Sequence, residues 1–306
     1  MQFICQCPTR STFFNSRNKF ITGSLLRFCR EANVVSYSRL NSSKTLKWKL
    51  RKRVLVSELE GWYKVFTRCF LTTVVLNPFV KARVIHNVYE SEGHRTLCLE
   101  PPSIVLEQYT NPGMFVKLSN GKEKPNFFAV ASAVNSPFLE FLVKRTHSTA
   151  WLCELEKGGQ IFISSVMGKG FQLSRLHDVE HIYLLATGSG ISPLKAVMES
   201  TEFLQLSNKK DLQLYYGVRT PERFSYQNRF SVWQQTGIRI HKICSTDASG
   251  RWTGRVGYIQ HWLRKDGIPN PEKTGALLCG VKGMIEEVTQ LLQTQGVPSD
   301  KILTNF

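Results

Sequence analysis

The sequence predicts two domains behind a basic leader: an all-β domain over residues 79–177, then a parallel α/β domain over residues 178–306. Three observations carry this. Residues 79–177 hold short β-branched and aromatic runs separated by turn residues, the pattern of a barrel or sandwich. From residue 178 apolar runs alternate with helical stretches, the pattern of a parallel sheet with crossover helices. Two of those apolar runs stop at glycine and turn at once into a helix. A strand that delivers its C-terminal end to a helix N-terminus builds a dinucleotide site.

The leader, residues 1–78, is set apart by charge. Residues 1–56 hold twelve Lys/Arg and one acid, Glu31, so most of the net charge of +17 lies there. Rich in Ser, Asn, Thr and Arg and poor in acids, it has the composition of an organelle transit peptide. Residues 51–73 show no assignable pattern. The apolar stretch 66–80 contains Arg68 and is broken by Asn77-Pro78, too short and interrupted to span a bilayer. Beyond residue 56, 28 basic side chains face 22 acidic ones, and no nucleic-acid-reading motif accompanies them. That argues against nucleic acid as a partner. The eight cysteines include no C-x-x-C pair, and their spacing argues against zinc, an iron–sulfur cluster or a disulfide framework.

In order, the β domain has apolar runs at 82–85, 96–99, 114–118, 127–131 and 160–163. Asn111-Pro112-Gly113, Asn120-Gly121 and Lys157-Gly158-Gly159 punctuate them. The α/β domain has strands at 181–186, 212–217, 238–243 and 276–280. Its last helix puts Met284, Val288, Leu291 and Leu292 on one face and Glu286, Glu287 and Gln290 outside, and ends at Gly296 and Pro298.

The first glycine-tipped strand reads Thr187-Gly188-Ser189-Gly190-Ile191-Ser192-Pro193. Glycine permits positive φ and leaves no side chain between backbone N–H groups and a phosphate. Pro193 suits the first turn of the following helix. A pyrophosphate would sit at the positive helix end. Glycine pairs are common in strand–helix turns, so the apolar strand before and the proline after carry the specificity.

This spacing is not G-x-G-x-x-G. It resembles the Thr-Gly-x-Gly-x-x-Pro turn of the nicotinamide domain in the ferredoxin–NADP reductase superfamily, and the resemblance runs from residue 80 to the C-terminus. Leu214-Tyr215-Tyr216-Gly217-Val218-Arg219 resembles that family's second nucleotide-domain strand, beside the adenosine. Phe224-Ser225-Tyr226 follows where members supply adenosine contacts. Cys279-Gly280-Val281-Lys282-Gly283-Met284 is similar to Cys-Gly-Pro-x-x-Met beside the nicotinamide, with Val281 for Pro. The turn at 186–193 and the ending from Gly296 to Phe306 are similar to the plant plastid "kiwifruit protein" branch.

The resemblance implies a six-stranded antiparallel β-barrel that holds FAD, followed by an α/β domain that holds NADP or NAD. It implies pyridine-nucleotide contacts at Thr187, Gly188, Ser189, Gly190, Pro193, Gly280 and Met284, with Cys279 beside the reacting nicotinamide carbon. Ser225 and Tyr226 would meet the adenosine. Arg219 and Arg223 could neutralise a ribose 2′-phosphate, and no acid ends that strand, which favours NADP. The barrel signature Arg-x-Tyr-Ser corresponds to Asn126-Phe127-Phe128-Ala129, with Ser132 just beyond. Asn126 replaces the arginine that grips the flavin phosphates, which removes a charge-assisted contact of roughly 1.5–3 kcal/mol. Phe128 and Ala129 replace Tyr and Ser, and the Phe128 ring can still stack on flavin. Lys117, Lys124 or Lys169 is the cation expected to compensate for that lost charge. Gly168 and Gly170 correspond to a loop lining the flavin pyrophosphate, where their N–H groups would form an anion nest; the alternative is an ordinary turn closing the barrel. Phe306 corresponds to a terminal aromatic that covers the flavin. The seven histidines are scattered and build no catalytic constellation.

Two functions are therefore expected from this chain. One is a flavin-dependent oxidoreductase passing hydride between NAD(P)H and FAD, then electrons to an acceptor. The other, motivated by positions 126, 128 and 129, is a nucleotide-binding or redox-regulatory protein without turnover. The resemblance directs the leader to the chloroplast, with the mitochondrion as the alternative.

Overall fold

The computed structural model describes residues 2–6, 37–39, 45–49, 79–247, 250 and 252–305. The chain divides into two compact units, Met1–Leu76 and Asn77–Phe306. In the first, strands β1 (Gln2–Gln6), β2 (Tyr37–Arg39) and β3 (Thr45–Lys49) pair antiparallel in the order β1-β3-β2. The rest of the leader, including residues 51–73, lies outside the described residues.

The second unit holds both predicted domains. The β part comprises β4 (Phe79–Ser91), β5 (His94–Glu100), helix α1 (Ser103–Leu106), β6 (Phe115–Ser119), β7 (Asn126–Ala129), β8 (Leu139–Lys144), helix α2 (Ala150–Cys153) and β9 (Gln160–Ser164). They form one antiparallel sheet in the order β7-β6-β9-β4-β5-β8. Leu97, Leu99, Val116, Leu118, Phe141 and Ile163 fill its interior with no exposed surface. Each such side chain contributes about 1.5–3 kcal/mol of burial.

The barrel expected from the family resemblance is not closed. Strands β7 and β8 form the two edges and do not pair as strands. Only four residues of β7 keep the ladder. The chain then crosses the gap with one backbone bond, Ala131 N to Glu140 O at 2.8 Å. Ser132 Oγ accepts from Glu140 N at 3.2 Å beside it. Strand β8 is not among the runs that the sequence singles out. Its outward-pointing Leu142 is 4 % exposed because it packs into the core of the α/β domain, so the strand lacks clean alternation.

The α/β part comprises β10 (His181–Thr187), α3 (Ile191–Met198), α4 (Thr201–Leu206), β11 (Asp211–Val218), α5 (Phe230–Gln235), β12 (Ile238–Cys244), β13 (Arg255–Val256), α6 (Ile259–Asp266), β14 (Thr274–Cys279), α7 (Lys282–Thr294) and β15 (Ile302–Thr304). All six strands run parallel, in the order β13-β12-β11-β10-β14-β15. Alternate residues serve opposite faces. Ile182, Leu184 and Ala186 meet Leu194, Val197 and Trp233, in a core that also takes in Ala131, Leu142 and Phe171 from the β part. Tyr183 and Leu185 meet Ile259, Met284, Val288 and Leu292 on the other face. Helix α7 buries Met284, Val288, Leu291 and Leu292, the face read from the sequence. It closes with Gly296 at φ +101°, Gly296 N on Gln293 O and Val297 N on Leu292 O, a Schellman ending.

Candidate functional site

Strands β11 to β13 extend the sheet on one side of β10, and β14 and β15 on the other. The switch point therefore lies between β10 and β14, and a crevice opens beyond their C-terminal ends. Thr187 and Cys279, the last residues of those strands, bring both glycine-tipped segments together there.

The glycines divide the labour. A Cβ at Gly190 would lie 2.2 Å from Cys279 O, and one at Gly280 would lie 2.0 Å from Thr187 Oγ1. These two let the tips pack backbone to backbone, locked by Val281 N donating to Thr187 Oγ1 at 2.8 Å. Gly188 differs. Its φ is +53° and an added Cβ would meet nothing within 4 Å, so its backbone is bare toward the cleft.

That cleft has a volume of about 1120 Å³ and is walled by both domains. Drug-sized ligands occupy pockets of roughly 300–1,000 Å³, so this one has room for dinucleotide-sized ligands. Phe128, Ala129, Thr187, Gly188, Ser189, Gly190, Pro193, Arg219, Cys279, Gly280 and Met284 all line it. Cys279 is 6 % exposed, and burial pushes its thiol up to about 12. It is protonated at neutral pH and serves as packing, not as a nucleophile.

Other residues singled out from the sequence lie elsewhere. Ser132 is buried behind the wall, its carbonyl accepting from Tyr109 Oη at 2.8 Å. Gly168 and Gly170 hold a packing turn outside the cleft lining. A Cβ at Gly168 would lie 2.7 Å from the Phe115 ring, and one at Gly170 2.5 Å from Pro112 O. Ser225 and Tyr226 are buried between the domains and are not in the cleft lining. The Ser225 and Ser91 hydroxyls are 2.8 Å apart, and Tyr226 N donates to Glu90. Phe306 lies outside the described residues. Its neighbour Asn305 is 2 % exposed, lines the cleft and donates from Nδ2 to Gly113 O at 3.4 Å.

A buried ionic cluster fixes one wall against the other. Lys195 on α3 is 6 % exposed. Its Nζ lies 3.3 Å from Glu140 Oε1, donates to Ala131 O at 3.3 Å, and donates to Glu199 at 3.0 Å. Arg229 and Trp233 also donate to Glu199, at 2.9 and 3.1 Å. Burial alone would raise the Glu199 carboxyl. Lys195 and the other donors outweigh it and hold the carboxyl below its ordinary value.

Of the two arginines expected at a 2′-phosphate, Arg223 pairs with Glu92 at 2.8 Å, whereas Arg219 lines the cleft with no acidic partner among the described residues. Sequence reasoning missed His94, Lys144, Thr146, Thr149 and Asn305 as lining residues. They carry no local motif, and the fold gathers them from three separate segments, at 94, 144–149 and 305. Toward a flavin, the barrel wall offers the Phe128 ring and several unmatched polar atoms. Asn126 donates to Ser148 Oγ at 3.4 Å, and its Oδ1 is buried without a partner, as is His94 Nε2; from the α/β side, Arg223 Nε and Asn305 Oδ1 are likewise unmatched. Buried orphan atoms around a roomy cleft fit a polar ligand. No group of His, Cys, Asp or Glu among the described residues could hold a metal, and no described helix is long and apolar enough to cross a membrane.

Residues 184–290 match the family model described as the oxidoreductase NAD-binding domain. The chain is 29 % identical over 248 residues to Fruit protein pKIWI502 of Actinidia deliciosa, covering 76 % of this chain and 77 % of that one. It is 29 % identical over 141 residues to NADH-cytochrome b5 reductase 1 of Kluyveromyces lactis, covering 45 % of this chain and only 50 % of the relative. Among solved structures, a ferredoxin NADP+ reductase from Neisseria gonorrhoeae with bound FAD and NADP superposes with a TM-score of 0.63 at 21 % identity, over 74 % of this chain and 98 % of that one. Residues 184–290 are thus similar to oxidoreductase NAD-binding domains, and the chain shares its two-domain fold with that ferredoxin NADP+ reductase.

Proposed function

We propose that this chain is a flavin-dependent oxidoreductase that exchanges hydride between a pyridine nucleotide, NADP ahead of NAD, and FAD, and then passes electrons to a further acceptor. One observation carries the reading: a single cleft has the strand tips of the NAD-binding domain on one wall and Phe128 of the barrel on the other. A bound flavin supplies the hydride-accepting ring and returns the electrons onward. The chain's own residues bind, align and exclude water. The bare backbone at Gly188 suits a phosphate. Arg219, without an acidic partner among the described residues, is the cation for a 2′-phosphate, and Phe128 is a face for an aromatic ring. Cys279 and Met284 close the floor between them. No acid or base is required, and none is assigned.

Asn126 favours the second reading, a nucleotide-binding protein without turnover, because it brings no positive charge to the barrel wall. The visible spectrum of the full chain after incubation with FAD separates the two. Bound yellow chromophore that bleaches with NADPH supports the oxidoreductase, and a chain that takes up no flavin overturns it. The leader, residues 1–78, is proposed to direct import into the chloroplast, with the mitochondrion as the alternative. A reporter fused to those residues that stays cytosolic rejects both.

A further inference from the structure

The β4–β5 hairpin, residues 90–94, reaches across to the segment 220–226 of the α/β domain. Arg223 Nη2 donates to Glu92 Oε1 at 2.8 Å, and Glu92 N donates to Glu222 O at 2.9 Å. The contact does more than join the domains. Two of its side chains each keep one buried nitrogen unused, His94 Nε2 and Arg223 Nε, and both residues line the cleft.

The two nitrogens have opposite character. His94 is 5 % exposed, and its Nδ1 lies 3.1 Å from Glu92 O. A carbonyl only accepts, so Nδ1 carries the proton, and in the neutral ring Nε2 is an acceptor. Burial lowers the His94 pKa, with Lys144 and Arg223 pushing the same way and the Glu92 carbonyl and Glu90 opposing, so the neutral ring holds at neutral pH. Arg223 Nε–H can only donate. Lys144 is the cross-strand partner of His94 on β8, so both side chains share one face, and it too lines the cleft. From Lys144 the polar rim continues through Thr149, whose Oγ1 donates to Lys144 O, and through Thr146 to Ser148 and Asn126. A lone acceptor beside two cationic donors matches a group with both a hydroxyl and a phosphate. A sugar or polyol phosphate has that chemistry.

We propose that His94, Arg223 and Lys144 form a clamp, drawn from both domains, for the sugar-phosphate part of the flavin nucleotide. This rests on the flavin reading above. It gives Arg223 a different ligand from the 2′-phosphate expected of it in sequence, and it puts a guanidinium on the flavin nucleotide although position 126 holds only an amide. Glu92 is the positioning residue: its carboxylate orients the Arg223 plane and its carbonyl sets the His94 tautomer.

The test is a titration of the full chain with FAD, followed by flavin fluorescence, with NADPH binding and thermal unfolding measured on the same variants. Loss of a charge-assisted contact predicts that Arg223→Ala weakens FAD binding by about tenfold or more, with NADPH affinity within about twofold. His94→Phe should weaken FAD binding similarly, and His94→Gln, which retains an acceptor, should recover most of it. A wild-type chain that binds FAD while Arg223→Ala and His94→Phe bind it equally well overturns the clamp alone. So does Arg223→Ala weakening NADPH instead of FAD, or variants that lose both nucleotides together with stability. A wild-type chain that binds no FAD overturns the flavin reading and the clamp with it.

Discussion

The two walls of the cleft are built differently. The centre of the α/β wall comes from two continuous segments, 187–193 and 279–284, whose backbones touch, with Arg219, Arg223 and Asn305 added around them. The barrel wall is assembled from His94, Asn126, Phe128, Lys144 and Thr149, which lie on three strands and a turn, and only Asn126 and Phe128 fall in one motif. A site made by backbone at strand tips constrains local sequence tightly, because only glycine fits where two chains meet. A site made by side chains from distant strands leaves each position free to change while another supplies the contact. The replacements at 126, 128 and 129 therefore say less about flavin binding than the whole rim does.

Four substitutions can break or sharpen this contrast. The largest effect is expected where the walls meet. Lys195→Met leaves Glu199 and Glu140 without their buried cation and should destabilise the chain by about 3–5 kcal/mol in denaturant unfolding. The same variant tests a pH dependence. The Glu199 carboxyl lies below its ordinary value in the folded chain, so its contribution is full above the unfolded pKa and is lost as pH falls through the folded one. Lys195→Met should flatten that acid limb.

Next is Gly190→Ala, whose Cβ would press on Cys279 O. Overpacking against backbone should cost about 1–3 kcal/mol or more and lower the unfolding midpoint. Third is Arg219→Gln, which should reduce the preference for NADPH over NADH by about tenfold, through a lost charge-assisted contact, with stability unchanged. Comparable affinity for the two nucleotides in the wild-type chain would remove the basis for this effect. The smallest is Gly188→Ala. No atom opposes its Cβ, so only the left-handed backbone opposes it, at about 1 kcal/mol. If Gly190→Ala proves as mild as Gly188→Ala, tip packing is not what fixes the α/β wall.

Legibility in the sequence follows the same division. Strands β10, β11, β12 and β14 are readable as short apolar runs, β10 and β14 stopping at glycine, and helix α7 by its 3.6-residue period. Strand β15 escapes notice because it is three residues long. Strand β8 is hidden because Leu142 faces a second core, and the open barrel because nothing in residues 126–129 announces where pairing stops. Within the site, the glycine motifs are local and visible. His94 looks like any scattered histidine until β5, β8 and the 220–226 segment meet around it. Ser225 and Tyr226 show a related point: a segment that follows a nucleotide-domain strand can serve the domain interface, here through Ser91 and Glu90.

The central claim is that one cleft brings a pyridine nucleotide and a flavin into direct contact. Anaerobic mixing of the FAD-loaded full chain with NADPH deuterated at the transferable position tests this most directly. Direct contact predicts that the flavin is reduced in a single turnover, slowed by deuterium at that position and not at the opposite face, with the label absent from solvent before the flavin exchanges it. A loaded chain whose flavin stays oxidised while NADPH binds would contradict it.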